Sequence, residues 1–71
     1  MSLDPSATIH PSAVIEPGAV VGPDCRIGPF CVVGPKVVLA RGVELKSHVV
    51  ITGQTEIGEE TVVFPFTTLG E

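Results

Sequence analysis

The 71-residue chain contains no tyrosine and no tryptophan, and its only aromatic rings apart from two histidines are Phe30, Phe64 and Phe66. A core built around large rings is thereby excluded, and a packed interior has to come from aliphatic side chains. Basic residues are scarce too. Arg26, Lys36, Arg41 and Lys46 face eight acidic residues, leave a formal net charge of −4 and form no cluster, which argues against a nucleic-acid partner. No apolar run approaches the roughly 18 residues that a spanning helix requires, and no basic-then-apolar leader opens the chain. The expectation is a cytoplasmic protein with no membrane span. The two cysteines, Cys25 and Cys31, are six residues apart. That spacing matches no zinc motif, and one pair makes no disulfide framework, so both are expected to be reduced packing residues. There is no G-x-G-x-x-G and no P-loop.

What the chain does have is a period. Steps of six from Ile9 meet Ile15, Val21, Ile27, Val33, Leu39, Leu45, Ile51, Ile57, Val63 and Leu69, without a failure. Two places earlier runs a second column of small or β-branched residues: Ala7, Ala13, Ala19, Cys25, Cys31, Val37, Val43, Val49, Thr55, Thr61 and Thr67. All seven prolines fall two places after the aliphatic position. Met1, Ser2 and Leu3 stand before the first hexad counted, an opening of the kind that cloning vectors add.

Within each hexad the small residue, its successor and the aliphatic residue alternate in, out, in, the period-two signature of a short strand. The remaining three positions turn the chain. Glycine follows the aliphatic residue at Gly22, Gly28, Gly34, Gly58 and Gly70, where a positive φ is expected, and proline then fixes the corner. Strands this short cannot bury a face alone, so successive turns must stack about 4.8 Å apart. The fold class is therefore all-β, a parallel β-helix formed as one domain over residues 1–71.

The hexads "IGPFCV", "VGPKVV" and "IGEETV" resemble the hexapeptide repeat of the left-handed parallel β-helix acyltransferases. The resemblance implies left-handed winding and three hexads per coil, hence about four coils. Within that superfamily, "IHPSAVIEPGA", "IGPFCVVGP", "LKSHVVITG" and "FPFTTLGE" are similar, in order and spacing, to the N-terminal part of the UDP-N-acetylglucosamine O-acyltransferase family. Those enzymes transfer a 3-hydroxyacyl chain from acyl carrier protein to the sugar 3-hydroxyl at the start of lipid A synthesis. The resemblance also implies a parallel homotrimer with active sites in clefts between subunits, and a general-base histidine on a later coil, beyond Glu71. The glucosamine N-acyltransferases, γ-class carbonic anhydrases and serine acetyltransferases share the hexad but fit "LKSHVVITG" and "FPFTTLGE" less well.

An 18-residue coil sorts the outward strand positions into three columns: Thr8, Arg26, Glu44 and Val62; Val14, Val32, Val50 and Thr68; and Val20, Val38 and Glu56. The nearly all-valine column reads as an interface. The same spacing stacks Phe30, His48 and Phe66 at one corner and makes neighbours of Arg26 with Glu44 and of Arg41 with Glu59. His48 is expected to pack between rings. His10 sits in another column, too far from His48 to share a metal ion within a subunit. Glu59 and Glu60 are adjacent at a corner and point apart into solvent rather than forming an acid–base pair. The chain accordingly assigns no catalytic residue, no metal ligand and no cofactor. Two classes of function stay open on these residues: the scaffold portion of an acyltransferase, and a non-catalytic β-helical trimerisation module or engineered scaffold fragment.

Overall fold

A computed structural model describes residues 2–70. Twelve two-residue strands follow one another at intervals of six: β1 (Ser2–Leu3), β2 (Thr8–Ile9), β3 (Val14–Ile15), β4 (Val20–Val21), β5 (Arg26–Ile27), β6 (Val32–Val33), β7 (Val38–Leu39), β8 (Glu44–Leu45), β9 (Val50–Ile51), β10 (Glu56–Ile57), β11 (Val62–Val63) and β12 (Thr68–Leu69). Every third strand joins the same sheet. Wall 1 is β1-β4-β7-β10, wall 2 is β2-β5-β8-β11 and wall 3 is β3-β6-β9-β12, each four strands deep. All pairings are parallel, and partners such as Val14 and Val32, or Val32 and Val50, are 18 residues apart.

The walls are held by rungs between coils. Val14 N–H donates to the Cys31 carbonyl at 2.8 Å, Val32 to Val49 at 2.8 Å and Val50 to Thr67 at 2.9 Å, each acceptor lying 17 residues beyond its donor. Walls 1 and 2 repeat the pattern, with Val20 donating to Val37 at 3.0 Å and Arg26 to Val43 at 2.9 Å. A strand of two residues has no stability alone. Stacking supplies every strand with a neighbour, and this satisfies backbone groups that an apolar interior would otherwise leave unpaired.

The inward columns form the core. Val33, Val37, Val43, Val49 and Ile51 have no solvent exposure, and Val21, Ile27, Leu39 and Leu45 have almost none. Ile9, Ile15 and Leu69, on the first and last coils, are only partly buried because each has a coil on one side alone. Cys25 and Cys31 are buried free thiols, as their inward positions require, and the Cys25 Sγ donates to the Ala40 carbonyl at 3.0 Å. Threonines continue the small-residue column on the last coils, where Thr55 is half-buried and Thr61 exposed. Their hydroxyls are satisfied by the carbonyls of Thr52 and Gly58, each at 2.8 Å.

Two expectations change, and the repeat extends as the place of Pro5 required: β1 pairs in register with β4, Leu3 against Val21, so the hexads begin one step before Ile9. The strands are two residues long rather than three. Of the five glycines expected to hold positive φ, Gly70 alone does, at 81°. Gly22, Gly28, Gly34 and Gly58 keep negative φ, and the left-handed position is mostly the third residue after the aliphatic one, at Gly18, Asp24, Phe30, Gly42, His48, Glu60 and Phe66. Glycine after the aliphatic residue answers a different demand, close approach of the adjacent coil. A Cβ on Gly28 would overlap the Lys46 carbonyl oxygen, and one on Gly22 would come within 2.8 Å of the Leu39 carbonyl oxygen.

Gly28→Ala should therefore be strongly destabilising, whereas Gly58→Ala, with nothing within 4 Å of the added carbon, should leave the thermal midpoint almost unchanged. Equal midpoints for the two variants would refute the close-approach explanation. Val33→Asp removes about 1.5–3 kcal/mol of burial and leaves an unpaired charge in the core, so circular dichroism should show the β signal lost.

Candidate functional site

Three corners join the walls, and each has its own chemistry. The corner from wall 2 to wall 3 carries an aromatic column. His48 lies between Phe30, at 5.0 Å between ring centroids and 26° between planes, and Phe66, at 4.8 Å and 16°. The centroid spacing is that of the coils themselves, so the backbone repeat sets the stack. All three residues hold positive φ, at 58°, 51° and 62°. This costs a bulky residue about 1–3 kcal/mol, and ring stacking returns about 0.5–1.5 kcal/mol per pair. The column stands clear of the surface: Phe30 is 59% and Phe66 79% exposed, with Phe64 beside them.

His10 opens the same corner on the first coil. Ser12 Oγ lies 2.8 Å from His10 Nδ1, a separation that a nucleophile and its base would show. The surrounding bonds assign another role. Nδ1 also accepts the Ser12 N–H at 3.1 Å, and Ser12 Oγ accepts the Phe30 N–H of the next coil at 3.1 Å. Six residues earlier the arrangement recurs with a carboxylate. Asp4 Oδ1 accepts the Ser6 N–H at 3.0 Å and the Ser6 hydroxyl at 2.7 Å, while Ser6 Oγ accepts the Asp24 N–H at 2.9 Å. Either side chain serves because the corner needs only an acceptor there. These are turn caps that tie the first coil to the second. The bonds from Ser6, and more weakly the charge of Arg41, hold the Asp4 carboxyl below its usual range against a small opposing effect of burial. Because the folded state prefers ionised Asp4, the cap's contribution is present above the ordinary carboxylate range and fades as pH falls through the lowered value. The repeated "PSA" at Pro5–Ala7 and Pro11–Ala13 was the available sequence signal for these serines.

The corner from wall 1 to wall 2 is acidic. Glu59 and Glu60 are exposed there, and the Glu60 carboxylate lies over Gly42. The Glu60 N–H donates to the Arg41 carbonyl at 2.9 Å, which sets Glu59 on the coil above Arg41 as expected. Arg26 and Glu44 are cross-strand partners, again as the period required. Glu44 nevertheless makes its ion pair with Lys46, at 3.1 Å, because Lys46 rises beside it just past the end of the same strand. The third corner, from wall 3 to wall 1, borders an open depression of about 440 Å³ lined by Gly18, Lys36, Val38, Gln54, Thr55 and Glu56. Lys36 and Glu56 both line it, and its one hydroxyl, that of Thr55, is committed to the Thr52 carbonyl at 2.8 Å.

Two stretches, residues 3–35 and 18–53, match the bacterial transferase hexapeptide (six repeats) family, together covering more than half of the chain. The chain belongs to that family. The left-handed winding of the β-helix goes with its hexapeptide repeats. A stretch of 29 residues is 69% identical to the acyl-[acyl-carrier-protein]–UDP-N-acetylglucosamine O-acyltransferase of Rickettsia africae (strain ESF-5), covering 41% of this chain and 11% of that protein. The same figures describe the Rickettsia prowazekii (strain Madrid E) protein, and the Rickettsia bellii (strain OSU 85-389) protein matches at the same identity over 10% of its length. The match thus spans about a tenth of the relatives' length.

For this hexapeptide chain the stack gives a direct test. His48→Ala should lower the thermal midpoint by an amount equivalent to about 1–2 kcal/mol, through two lost ring contacts. His48→Gly should cost less, because it relieves the left-handed strain as well. A glycine variant less stable than the alanine variant would contradict this account.

Proposed function

We propose that this chain is an N-terminal β-helical portion of an acyltransferase that moves a 3-hydroxyacyl group from acyl carrier protein to the 3-hydroxyl of UDP-N-acetylglucosamine, the first step of lipid A synthesis. The observation that carries the reading is the 69% identity, over 29 residues, to proteins named as acyl-[acyl-carrier-protein]–UDP-N-acetylglucosamine O-acyltransferases. The hexad alone supports the transferase superfamily without choosing among its members. The partners are acyl carrier protein, the nucleotide sugar and two further copies of the chain, and the compartment is the cytoplasm.

Among the described residues the corners hold caps, a ring stack and surface charge. None of these places a base against a free hydroxyl, and none forms a donor pair for a tetrahedral oxyanion, the two devices that acyl transfer draws on. The role of these coils is to template the prism and align its copies, and the chemistry belongs to coils of the longer enzyme.

The 71-residue chain should therefore show no transfer from 3-hydroxyacyl carrier protein to UDP-N-acetylglucosamine above background. A general base alone typically contributes about 10²- to 10⁴-fold. Joined to the downstream coils of a complete family member, it should restore turnover. Turnover by the short chain near that of a complete enzyme would overthrow the assignment and return His10 or His48 to the chemistry.

Assembly is tested separately. Sedimentation of the wild-type chain should show a trimer at high concentration, and Val32→Lys should shift it toward monomer. A strictly monomeric wild type would remove the trimer reading.

A further inference from the structure

The turns of the first coil are anchored differently from those above them. On later coils the left-handed corner residue donates its N–H to a backbone carbonyl one coil below, as Gly42 does to Pro23, His48 to Pro29 and Glu60 to Arg41. Those acceptors do not titrate. Asp24 and Phe30 donate instead to Ser6 Oγ and Ser12 Oγ, and each serine is held by an ionisable side chain two residues before it, Asp4 Oδ1 in one turn and His10 Nδ1 in the other. Among the described residues, the junction of the first two coils is thus the one whose corner bonds run through titratable groups.

The two acceptors answer a proton in different ways. A protonated carboxyl keeps a carbonyl oxygen that can accept, whereas an imidazolium has no acceptor left. Nδ1 of His10 accepts the Ser12 N–H at 3.1 Å and stands 2.8 Å from Ser12 Oγ, which requires the neutral ring with its proton on Nε2. Protonation at Nδ1 sets two N–H groups against each other. The Ser12 hydroxyl can turn to accept the new proton while it still accepts the Phe30 N–H. The Ser12 backbone N–H cannot reverse, and it loses its partner.

The charged ring would find no counter-ion in its surroundings. Packed against this turn is the second coil, where Gly28, Pro29 and Phe30 carry no charge and Arg26 stands on β5 beside Thr8. Lys46 and His48 follow at the same corner on the third coil, and Glu44, on wall 2, pairs with Lys46. No acidic residue occupies this corner on any coil. On the other side β2 and β3 are edge strands with no described coil beneath them, and Ile9 and Ile15, which flank the turn, are only partly buried.

We propose that His10 is a proton-sensitive latch on the first coil: the neutral imidazole closes the turn from β2 to β3, and its protonation frees the Ser12 amide and loosens that turn while the later corners hold. The sign follows from the geometry. Only the unprotonated ring accepts, so the latch is closed at the alkaline end of the span of about pH 5–8 in which histidines titrate, and opens as pH falls through it. The Asp4 turn, whose carboxyl the Ser6 bonds keep below its usual range, gives way only at more acidic pH. The two turns therefore open in order, His10 first.

Solvent exchange of single amides, followed by NMR and referenced to an unstructured amide at each pH, tests the latch. Between about pH 8 and about pH 5 the protection of the Ser12 amide should fall about two- to tenfold, the worth of one net hydrogen bond. The Gly42 and Glu60 amides, held by carbonyls, should keep theirs. His10→Asp installs the carboxylate that serves the equivalent turn at Asp4, and should hold Ser12 protected across the same span. His10→Ala should leave it unprotected throughout. Ser12 protection that is independent of pH in the wild type would overturn the proposal, and so would a loss shared equally by Gly42 and Glu60. A His10→Asp chain that loses Ser12 protection over the wild-type range would do the same, and the wild-type titration decides by itself if that variant fails to fold.

Discussion

Every feature of this chain depends on one backbone contact, the hydrogen bond from an N–H on one coil to a carbonyl 17 residues later on the next. Val14 to Cys31, Val32 to Val49 and Val50 to Thr67 are successive instances on one wall, all between 2.8 and 2.9 Å. Strands of two residues have no independent existence, so these rungs and the inward side chains they align are formed together or not at all. The same repeat that spaces the rungs fixes the rise of one coil. That rise is also a ring-stacking distance, and Phe30, His48 and Phe66 use it without any further device.

The corners show how a strict repeat accommodates chemical variety. The left-handed residue falls at the same hexad position on most coils, and Gly18, Asp24, Phe30, Gly42, His48, Glu60 and Phe66 occupy it in turn. From Asp24 onward its amide is bonded to the coil below by whatever acceptor is present. Ser6 and Ser12 side chains serve Asp24 and Phe30, while the carbonyls of Pro23, Pro29, Arg41 and Ser47 serve Gly42, His48, Glu60 and Phe66. Because the backbone is satisfied by its own neighbours, the side chains at the corners are free to differ. One corner is aromatic, one is acidic, and one borders the open depression at Lys36 and Gln54. This decoupling of scaffold from surface lets one hexad serve a family of transferases, and here it leaves a charge-free wall beside a projecting aromatic edge.

Sequence reasoning reached the walls almost completely. The aliphatic column from Ile9 to Leu69, the inward small residues with their two thiols, the triple stack at His48 and the Arg26–Glu44 adjacency all follow from one number, the period, together with strand alternation. Positions where the chain turns were less legible. Glycine after the aliphatic residue was read as a conformational requirement, but at Gly22 and Gly28 the constraint is the carbonyl of another coil, which no local pattern displays. The Ser6 and Ser12 caps reach amides of the next coil, Asp24 and Phe30, and were hidden for the same reason. The choice of Lys46 over Arg26 as partner of Glu44 was hidden for another, because side-chain reach beside one strand sets it rather than register.

By itself the sequence determined a six-residue repeat, its inward and outward faces and, through likeness to known repeats, the family. Those properties are periodic, and a period can be counted along a single chain. Tertiary structure decided which turn residue bears the left-handed strain, that Ser2–Leu3 pairs as a strand on the next coil, and that His10 is an acceptor in a turn cap rather than the base of Ser12. Each of those depends on a contact between residues 2 to 19 positions apart whose geometry exists only after the coils have stacked. The physical reason is the rung itself: it aligns distant residues to within a hydrogen-bond length, and the chain order alone carries no measure of that distance.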